Sequence, residues 1–280
     1  MTQRLGVVGF PIEHSISPAI QQAALDALGI DARYERWRIA PAELRAWVES
    51  LRGPDVLGAN VTVPHKEAVV PYLDELSPTA RSIGAVNTIV HRDGRLLGAN
   101  TDVEGFARSL LEAGFDPHGA DVVLLGAGGA ARAVAVALLG AGVRRLVLFN
   151  RGLARAEALA ALLGDQPGAG QTTVEAYALD APALDAHLAQ CTLLVNTTSV
   201  GLHPGDSLLS VERVPAGALV VDIIYNPPET ALLAAARARG ARTLNGLPML
   251  VHQAALAFQL WTGREAPLGV MFAAARAALP

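Results

Sequence analysis

Lysine and cysteine are nearly missing from this chain of 280 residues. Its one cysteine, Cys191, can make neither an internal disulfide nor a zinc cluster, so no metal site is expected and a reducing, cytoplasmic compartment fits. Basic character is missing as well. Lys+Arg 22 against Asp+Glu 26 leaves a net charge of −4, distributed as −2 over 1–103, −3 over 104–245 and +1 over 246–280. No segment is basic enough to suggest nucleic acid or an anionic membrane as the main partner. The N-terminus lacks the charged, apolar and cleavage segments that make up a signal peptide in series. The longest uncharged stretch, Thr243 to Gly263, is interrupted by Asn245, Pro248, His252, Gln253 and Gln259, which suits a helix beside a polar site rather than a membrane span. Charged residues are 17% and hydrophobic ones 51%, enough apolar side chain for large cores, so disorder is excluded.

What is present alternates. Short β-rich runs follow Ala/Leu-rich helical stretches, the pattern of an α/β protein, and the length suggests about two domains. Strands are expected at Gly6–Phe10, Tyr34–Ile39 and Val56–Val63, with helices over 18–28 and 41–51 and from His65 or Lys66. Ser82–His91 and Arg95–Gly98 flank Asp93-Gly94, a hairpin signal. A second unit starts near residue 104. Its continuous apolar runs at Val122–Leu125, Leu146–Phe149, Leu193–Val195 and Leu219–Val221 suit parallel strands buried on both faces. Residues 165–171 read as an exposed loop, and helices over 248–262 and 268–278 are too few to form a domain. The expected organisation is therefore 1–103, 104–245, and 246–280 returning to the first.

Every basic residue but one is arginine, and the exception is Lys66. A coding preference for arginine explains the rest but not why this position kept lysine. Arginine stays charged at any working pH, whereas a lysine ammonium can release a proton when its surroundings favour it. Lys66 is thus a candidate for chemistry. Along Asn60-Val61-Thr62-Val63-Pro64-His65-Lys66, strand alternation puts Asn60 and Thr62 on one face and Val61 and Val63 on the other. The polar pair leads to Lys66 just past the strand end, where open α/β sheets place ligands. Gly84 to Thr88 and Gly98 to Asp102 repeat a pattern of small residues followed by Asn-Thr, so Asn87 and Asp102 join the candidates. Ser15 and Ser17 precede Pro18 at a helix N-terminus, a favourable place for a carboxylate, although Ser17 could equally be a plain helix cap. Amides, hydroxyls, one carboxylate and the single lysine together suit a small polyhydroxylated acid.

Gly126-Ala127-Gly128-Gly129-Ala130-Ala131 is G-x-G-x-x-A between an expected strand and an expected helix. The first glycine permits the tight turn, the second lets backbone approach a pyrophosphate, and Ala131 keeps helix and strand close. Twenty-four residues after Gly126, where an NAD-binding fold of this kind carries an acid for the ribose hydroxyls, the chain reads Asn150-Arg151-Gly152-Leu153-Ala154-Arg155. A carboxylate would repel a 2′-phosphate, whereas Arg151 and Arg155 can clamp it. NADP is the expected cofactor, on a Rossmann-type domain.

Taken together the chain resembles the shikimate dehydrogenase family from Gly9 to Gly263. The likeness is carried by Gly9-Phe10-Pro11-Ile12-Glu13-His14-Ser15-Ile16-Ser17-Pro18, Asn60 to Lys66, Gly84 to Thr88, Asn100-Thr101-Asp102, the glycine turn, Asn150-Arg151, Asn196 to Gly201, Asp222 to Pro227, and Gly246-Leu247-Pro248-Met249-Leu250 with Gln253 and Trp261-Thr262-Gly263. The resemblance implies reversible NADPH-dependent reduction of 3-dehydroshikimate to shikimate, with an N-terminal substrate domain on a mainly parallel sheet and C-terminal helices packed back on it. It implies that Ser15, Ser17 and Tyr225 hold the substrate carboxylate, that Asn60, Thr62, Asn87, Asp102 and Gln253 address its hydroxyls, and that Lys66 is the acid/base residue with Asp102 as partner. Gly126, Ala127, Gly128, Gly129 and Ala130, with Asn150, Arg151, Arg155 and Thr197, would bind NADP, and Ile223 and Gly246 would line the nicotinamide pocket. His14 and His65 are expected to be solvated or packed. Gly152 departs from the Asn-Arg-Thr of many NADP users in the family, so the cofactor preference could be weaker. An NAD-dependent quinate/shikimate dehydrogenase is the nearest alternative. A non-catalytic shikimate or quinate sensor is a more distant one. A methylene-folate type dehydrogenase fits the glycine turn but not Ser15 and Ser17. The protein is expected to be a monomer or homodimer.

Overall fold

The computed structural model describes residues 2–166, 168–203 and 205–279. The chain divides into two compact units, 1–105 with 251–280, and 106–250. Their elements run β1 (Gln3–Gly9), α1 (Ser17–Ala27), β2 (Ala32–Arg38), α2 (Leu44–Ser50), β3 (Gly58–Val61), α3 (His65–Ala68), β4 (Glu75–Leu76), α4 (Pro78–Ile83), β5 (Thr88–Arg92), β6 (Arg95–Ala99) and α5 (Asp102–Glu112). Then follow β7 (Asp121–Leu125), α6 (Gly129–Gly140), β8 (Arg145–Asn150), α7 (Leu153–Gly164), β9 (Thr173–Ala178), α8 (Ala183–Gln190), β10 (Leu193–Asn196), β11 (Leu219–Asp222), α9 (Ala231–Ala238), β12 (Arg242–Leu244), α10 (Leu247–Thr262) and α11 (Leu268–Ala277).

The first unit has a six-stranded sheet ordered β2-β1-β3-β5-β6-β4. Three of its five pairings are parallel; β3–β5 and β5–β6 are antiparallel. The Asp93-Gly94 hairpin forms between β5 and β6, with left-handed φ values of 51° and 76°. The strand before it is shorter than expected. Ser82 and Ile83 end α4, whose start is set by the Ser77 hydroxyl accepting from the Ala80 amide and by Pro78 in the first turn. Gly84 closes that helix in a left-handed conformation, so the local Ser-Pro and Gly signals override the β pattern and the strand begins at Thr88. The expected strand at 56–63 likewise shortens to Gly58–Val61, and Val63, assigned to a face shared with Val61, is 68% exposed. Pro64 has no N–H to continue a ladder, and the Thr62 carbonyl instead accepts from the His65 amide to open α3.

The C-terminal helices return to this unit: α11 packs on α1, the buried Gln21 amide donates to the Ala254 carbonyl at 2.9 Å, and Trp261 Nε1 donates to the Ile89 carbonyl at 2.9 Å.

The second unit has a six-stranded, wholly parallel sheet ordered β12-β11-β10-β7-β8-β9. This is the Rossmann arrangement, with the order reversing between β7 and β10. Every residue of β7, β10 and β11 is buried. The apolar side chains among them each contribute about 1.5–3 kcal/mol on burial, which is why these runs read as unbroken hydrophobic stretches. The expected loop at 165–171 contains a short 3₁₀ turn at Ala169–Gln171; Pro167 lies outside the described residues.

Candidate active site

Two regions carry the predicted chemistry, one in each unit. In the first, Lys66 sits in the opening turn of α3 and Asp102 is the first residue of α5. Lys66 Nζ donates to Asp102 Oδ2 at 2.6 Å, with side-chain exposures of 16% and 7%. Backbone holds both residues. The Val86 amide donates to the Lys66 carbonyl at 2.8 Å, and Asn100 Oδ1 accepts from the Asp102 amide at 3.0 Å while its Nδ2 donates to the Ala85 carbonyl. The other carboxylate oxygen, Asp102 Oδ1, accepts from Asn87 Nδ2 at 2.8 Å. Charge-assisted hydrogen bonds of this kind are shorter and stronger than neutral ones, so the carboxylate anchors both groups.

Asn87 also reaches Thr101 Oγ1 at 2.9 Å and Gln253 Oε1 at 3.3 Å, and Asn60 Nδ2 donates to the Asn87 carbonyl at 3.1 Å. The structure thus brings Lys66, Asp102, Asn87, Asn60 and Gln253 into one connected polar cluster. Gln253 comes from α10 and owes its place to Gly105, one turn into α5. A Cβ at Gly105 would lie 2.8 Å from Gln253 Cβ and 2.9 Å from its amide nitrogen, so only glycine lets the two helices approach this closely.

Ser15, Ser17 and Thr62, the other predicted substrate residues of the first unit, make none of the hydrogen bonds of that cluster. Ser15 is half-buried in the loop before α1, and its Oγ accepts from the Ser17 amide at 3.3 Å. Ser17 is buried as the first residue of α1, and Ile16 occupies the cap position, so the helix-cap reading of Ser17 does not hold. Arg36 grips the Ser15 carbonyl through Nε at 3.0 Å and a terminal nitrogen at 2.8 Å. Thr62 is half-buried just past β3, and its amide donates to the Val8 carbonyl. Tyr225 is half-buried in the second unit, following β11. His65 is fully buried with Nε2 2.8 Å from the Ile39 carbonyl, and His14 is exposed.

Two residues that sequence reasoning passed over belong to the cluster. The Tyr34 hydroxyl donates to Asn60 Oδ1 at 2.6 Å, and Thr88 Oγ1 donates to Asn87 Oδ1 at 3.0 Å. A signal for Tyr34 exists. Along β2 it sits between exposed Arg33 and half-buried Glu35, so its ring points inward and its hydroxyl needs a buried partner.

In the second unit the glycine turn joins β7 to α6. Gly126 has φ 110°, and a Cβ there would lie 2.5 Å from Thr197 Oγ1, which itself donates to the Leu125 carbonyl at 2.7 Å. A Cβ at Gly128 would meet nothing within 4 Å, and no side chain caps α6. Gly129 and Ala130 form the first turn of that helix, so its first amide donors have no capping side chain. Buried Ala127 and Ala131 keep helix and strand in contact.

At the end of β8, Asn150 Nδ2 donates to the Gly152 carbonyl at 2.9 Å. Arg151 and Arg155 are exposed, and neither has an acidic partner among the described residues. Space at the turn, an uncapped helix and two guanidiniums without a nearby acid fit a dinucleotide with a 2′-phosphate. Ile223 is half-buried; the adjacent Ile224 carbonyl accepts from the Gly246 amide at 3.0 Å. Between these strands, Asp222 is buried and accepts from Asn196, the Ile224 amide and Thr230; burial pushes its carboxyl up.

The chain is similar to known proteins along nearly its whole length. Family models described as shikimate dehydrogenase substrate binding domain, shikimate / quinate 5-dehydrogenase, and shikimate 5'-dehydrogenase C-terminal domain match residues 7–89, 107–204 and 246–276. A shikimate dehydrogenase (NADP(+)) of Symbiobacterium thermophilum is 48% identical, across 98% of this chain and 94% of the relative. The chain belongs to the shikimate dehydrogenase family. A shikimate 5-dehydrogenase from Thermus thermophilus, solved in complex with NADP(H) and shikimate, superposes with a TM-score of 0.88 at 41% identity, covering 99% of this chain and 100% of that one. A quinate dehydrogenase from Corynebacterium glutamicum in complex with NAD reaches the same TM-score at 35% identity, with 98% of each chain covered.

Proposed function

We propose that the protein is an NADP-dependent shikimate dehydrogenase that reversibly reduces 3-dehydroshikimate to shikimate in the shikimate pathway. The observation that carries this reading is the 2.6 Å Lys66–Asp102 pair, set among carboxamides and hydroxyls in the first unit. In this reading residues 1–103 with 246–280 bind substrate and residues 104–245 bind NADP. Ser15, Ser17 and Tyr225 take the substrate carboxylate, and Asn60, Thr62, Asn87, Asp102 and Gln253 address its hydroxyls. Asn150, Arg151 and Arg155 take the 2′-phosphate, and Ile223 and Gly246 line the nicotinamide face. We assign the reaction to the cytoplasm, a reading that a chain with one cysteine, and so with no internal disulfide, supports.

Bound NADPH supplies the hydride that reduces the C3 carbonyl carbon. Lys66 supplies the proton to the oxygen, and Asp102 holds the ammonium in line through one carboxylate oxygen while Asn87 fixes the other. General acid help of this kind is worth roughly 10²- to 10⁴-fold. Lys66→Ala is therefore expected to lower turnover by at least about 10²-fold with NADPH affinity nearly unchanged. A variant that keeps most of its turnover would remove Lys66 from the mechanism.

A further inference from the structure

A chain of hydrogen bonds leads from Tyr34, deep in the first unit, to Lys66, and the direction of each is determined. Asn87 is the fixed point. Its Oδ1 accepts from the Thr101 amide at 2.8 Å and its Nδ2 donates to Asp102 Oδ1 at 2.8 Å. Turning the carboxamide over would set N–H against N–H on one side and oxygen against carboxylate on the other, so only one orientation is allowed. Thr88 Oγ1, 3.0 Å from Asn87 Oδ1 and 3.4 Å from Thr101 Oγ1, gives its single proton to the nearer acceptor. Its lone pair then faces Asn60 Nδ2 at 3.2 Å, whose second proton goes to the Asn87 carbonyl at 3.1 Å. Asn60 Oδ1 is thereby turned toward Tyr34, whose hydroxyl donates at 2.6 Å. Tyr34, Asn60, Asn87, Thr88 and Asp102 are all buried, so these hydrogen bonds are largely shielded from bulk solvent. Burial also pushes the Tyr34 hydroxyl well above its ordinary pKa, which keeps it a donor.

We propose that Thr88 and Tyr34 are positioning residues for the reaction, bracing Asn60 and Asn87 so that Asn87, whose orientation the Thr101 amide and Asp102 set, stays close against Asp102 and so holds Asp102 against Lys66. This rests on the reading of Lys66 and Asp102 given above. Neither residue touches substrate; both act through the two asparagines. Without the Thr88 hydroxyl, Asn87 Oδ1 loses a donor and Asn60 Nδ2 an acceptor, and the Asn87–Asp102 bond loosens. A catalytic group displaced by a fraction of an ångström loses much of its effect.

The test is steady-state kinetics of shikimate oxidation on Thr88→Val, Thr88→Ser, Tyr34→Phe and Lys66→Ala, each checked for folding by its thermal transition. Thr88→Val, of the same shape but without the hydroxyl, is expected to lower kcat by about tenfold or more, with the KM for NADP changed less than about twofold. Thr88→Ser is expected to restore kcat to within about threefold of the wild type, since the hydroxyl alone is required. Tyr34→Phe, one link further away, is expected to lower kcat by about threefold and serves as the second variant if Thr88→Val does not fold. Loss of turnover in Lys66→Ala with wild-type kcat in folded Thr88→Val and Tyr34→Phe would overturn the positioning role alone. Turnover kept in Lys66→Ala would remove the catalytic pair and this proposal with it. A Thr88→Ser variant as slow as Thr88→Val would also overturn it, because packing rather than the hydroxyl would then be at stake.

Discussion

The two candidate regions, one in each unit, are built on opposite plans. In the first unit, polar side chains satisfy one another: Lys66, Asp102, Asn87, Asn60, Thr88 and Tyr34 form a connected cluster with little solvent exposure. In the second, the groups assigned to the cofactor are backbone amides at an uncapped helix and two exposed arginines without acidic partners among the described residues. The first plan organises chemistry in advance, because a proton donor must be aimed before substrate arrives. The second leaves its donors to be satisfied by the phosphates themselves. The two halves should therefore fail in different ways.

The largest expected difference comes from the open half. If Arg151 makes the proposed charge-assisted contact to the 2′-phosphate, Arg151→Ala should lower kcat/KM for NADP about 10- to 100-fold while that for NAD changes little. Parallel titrations of the two cofactors check this; equal losses would reject the phosphate clamp. The closed half is sharpened by Gly105→Ala. The added Cβ meets Gln253 backbone that cannot swing aside, so α10 must shift, and the KM for shikimate should rise by about tenfold with the NADP KM unchanged. The two variants together predict a double dissociation between substrate and cofactor. The smallest effect concerns folding rather than chemistry. Cys191 is buried in the core of the second unit, and burial pushes its thiol up to about 12, so it stays protonated at neutral pH. A thiol titration should find no reactive group in the native protein or in folded variants, and one after denaturation.

Much of this was legible in the sequence, for identifiable reasons. The continuous apolar runs of β7, β8, β10 and β11 announce strands buried on both faces, and the glycine turn between β7 and α6 announces their topology. The lone lysine draws attention to Lys66 without any motif. Strand lengths were less legible. At Val63 the alternation continues in sequence after the ladder has ended, and at Ser82 a helix stop had the look of a strand start. Tyr34 and Thr88 were passed over because their importance lies in the direction of hydrogen bonds between β2, β3 and β5. That is set by strand register, Leu5 beside Tyr34, Val7 beside Asn60 and Asn60 beside Thr88, and no local pattern encodes it.

The closed cluster should select shikimate and the exposed arginines NADP. Oxidation of shikimate and of quinate, each measured with NADP and with NAD on the unmodified protein, decides this. Fast turnover confined to shikimate with NADP is expected. Comparable turnover with quinate, or with NAD, would contradict it and make the protein a broader quinate/shikimate dehydrogenase.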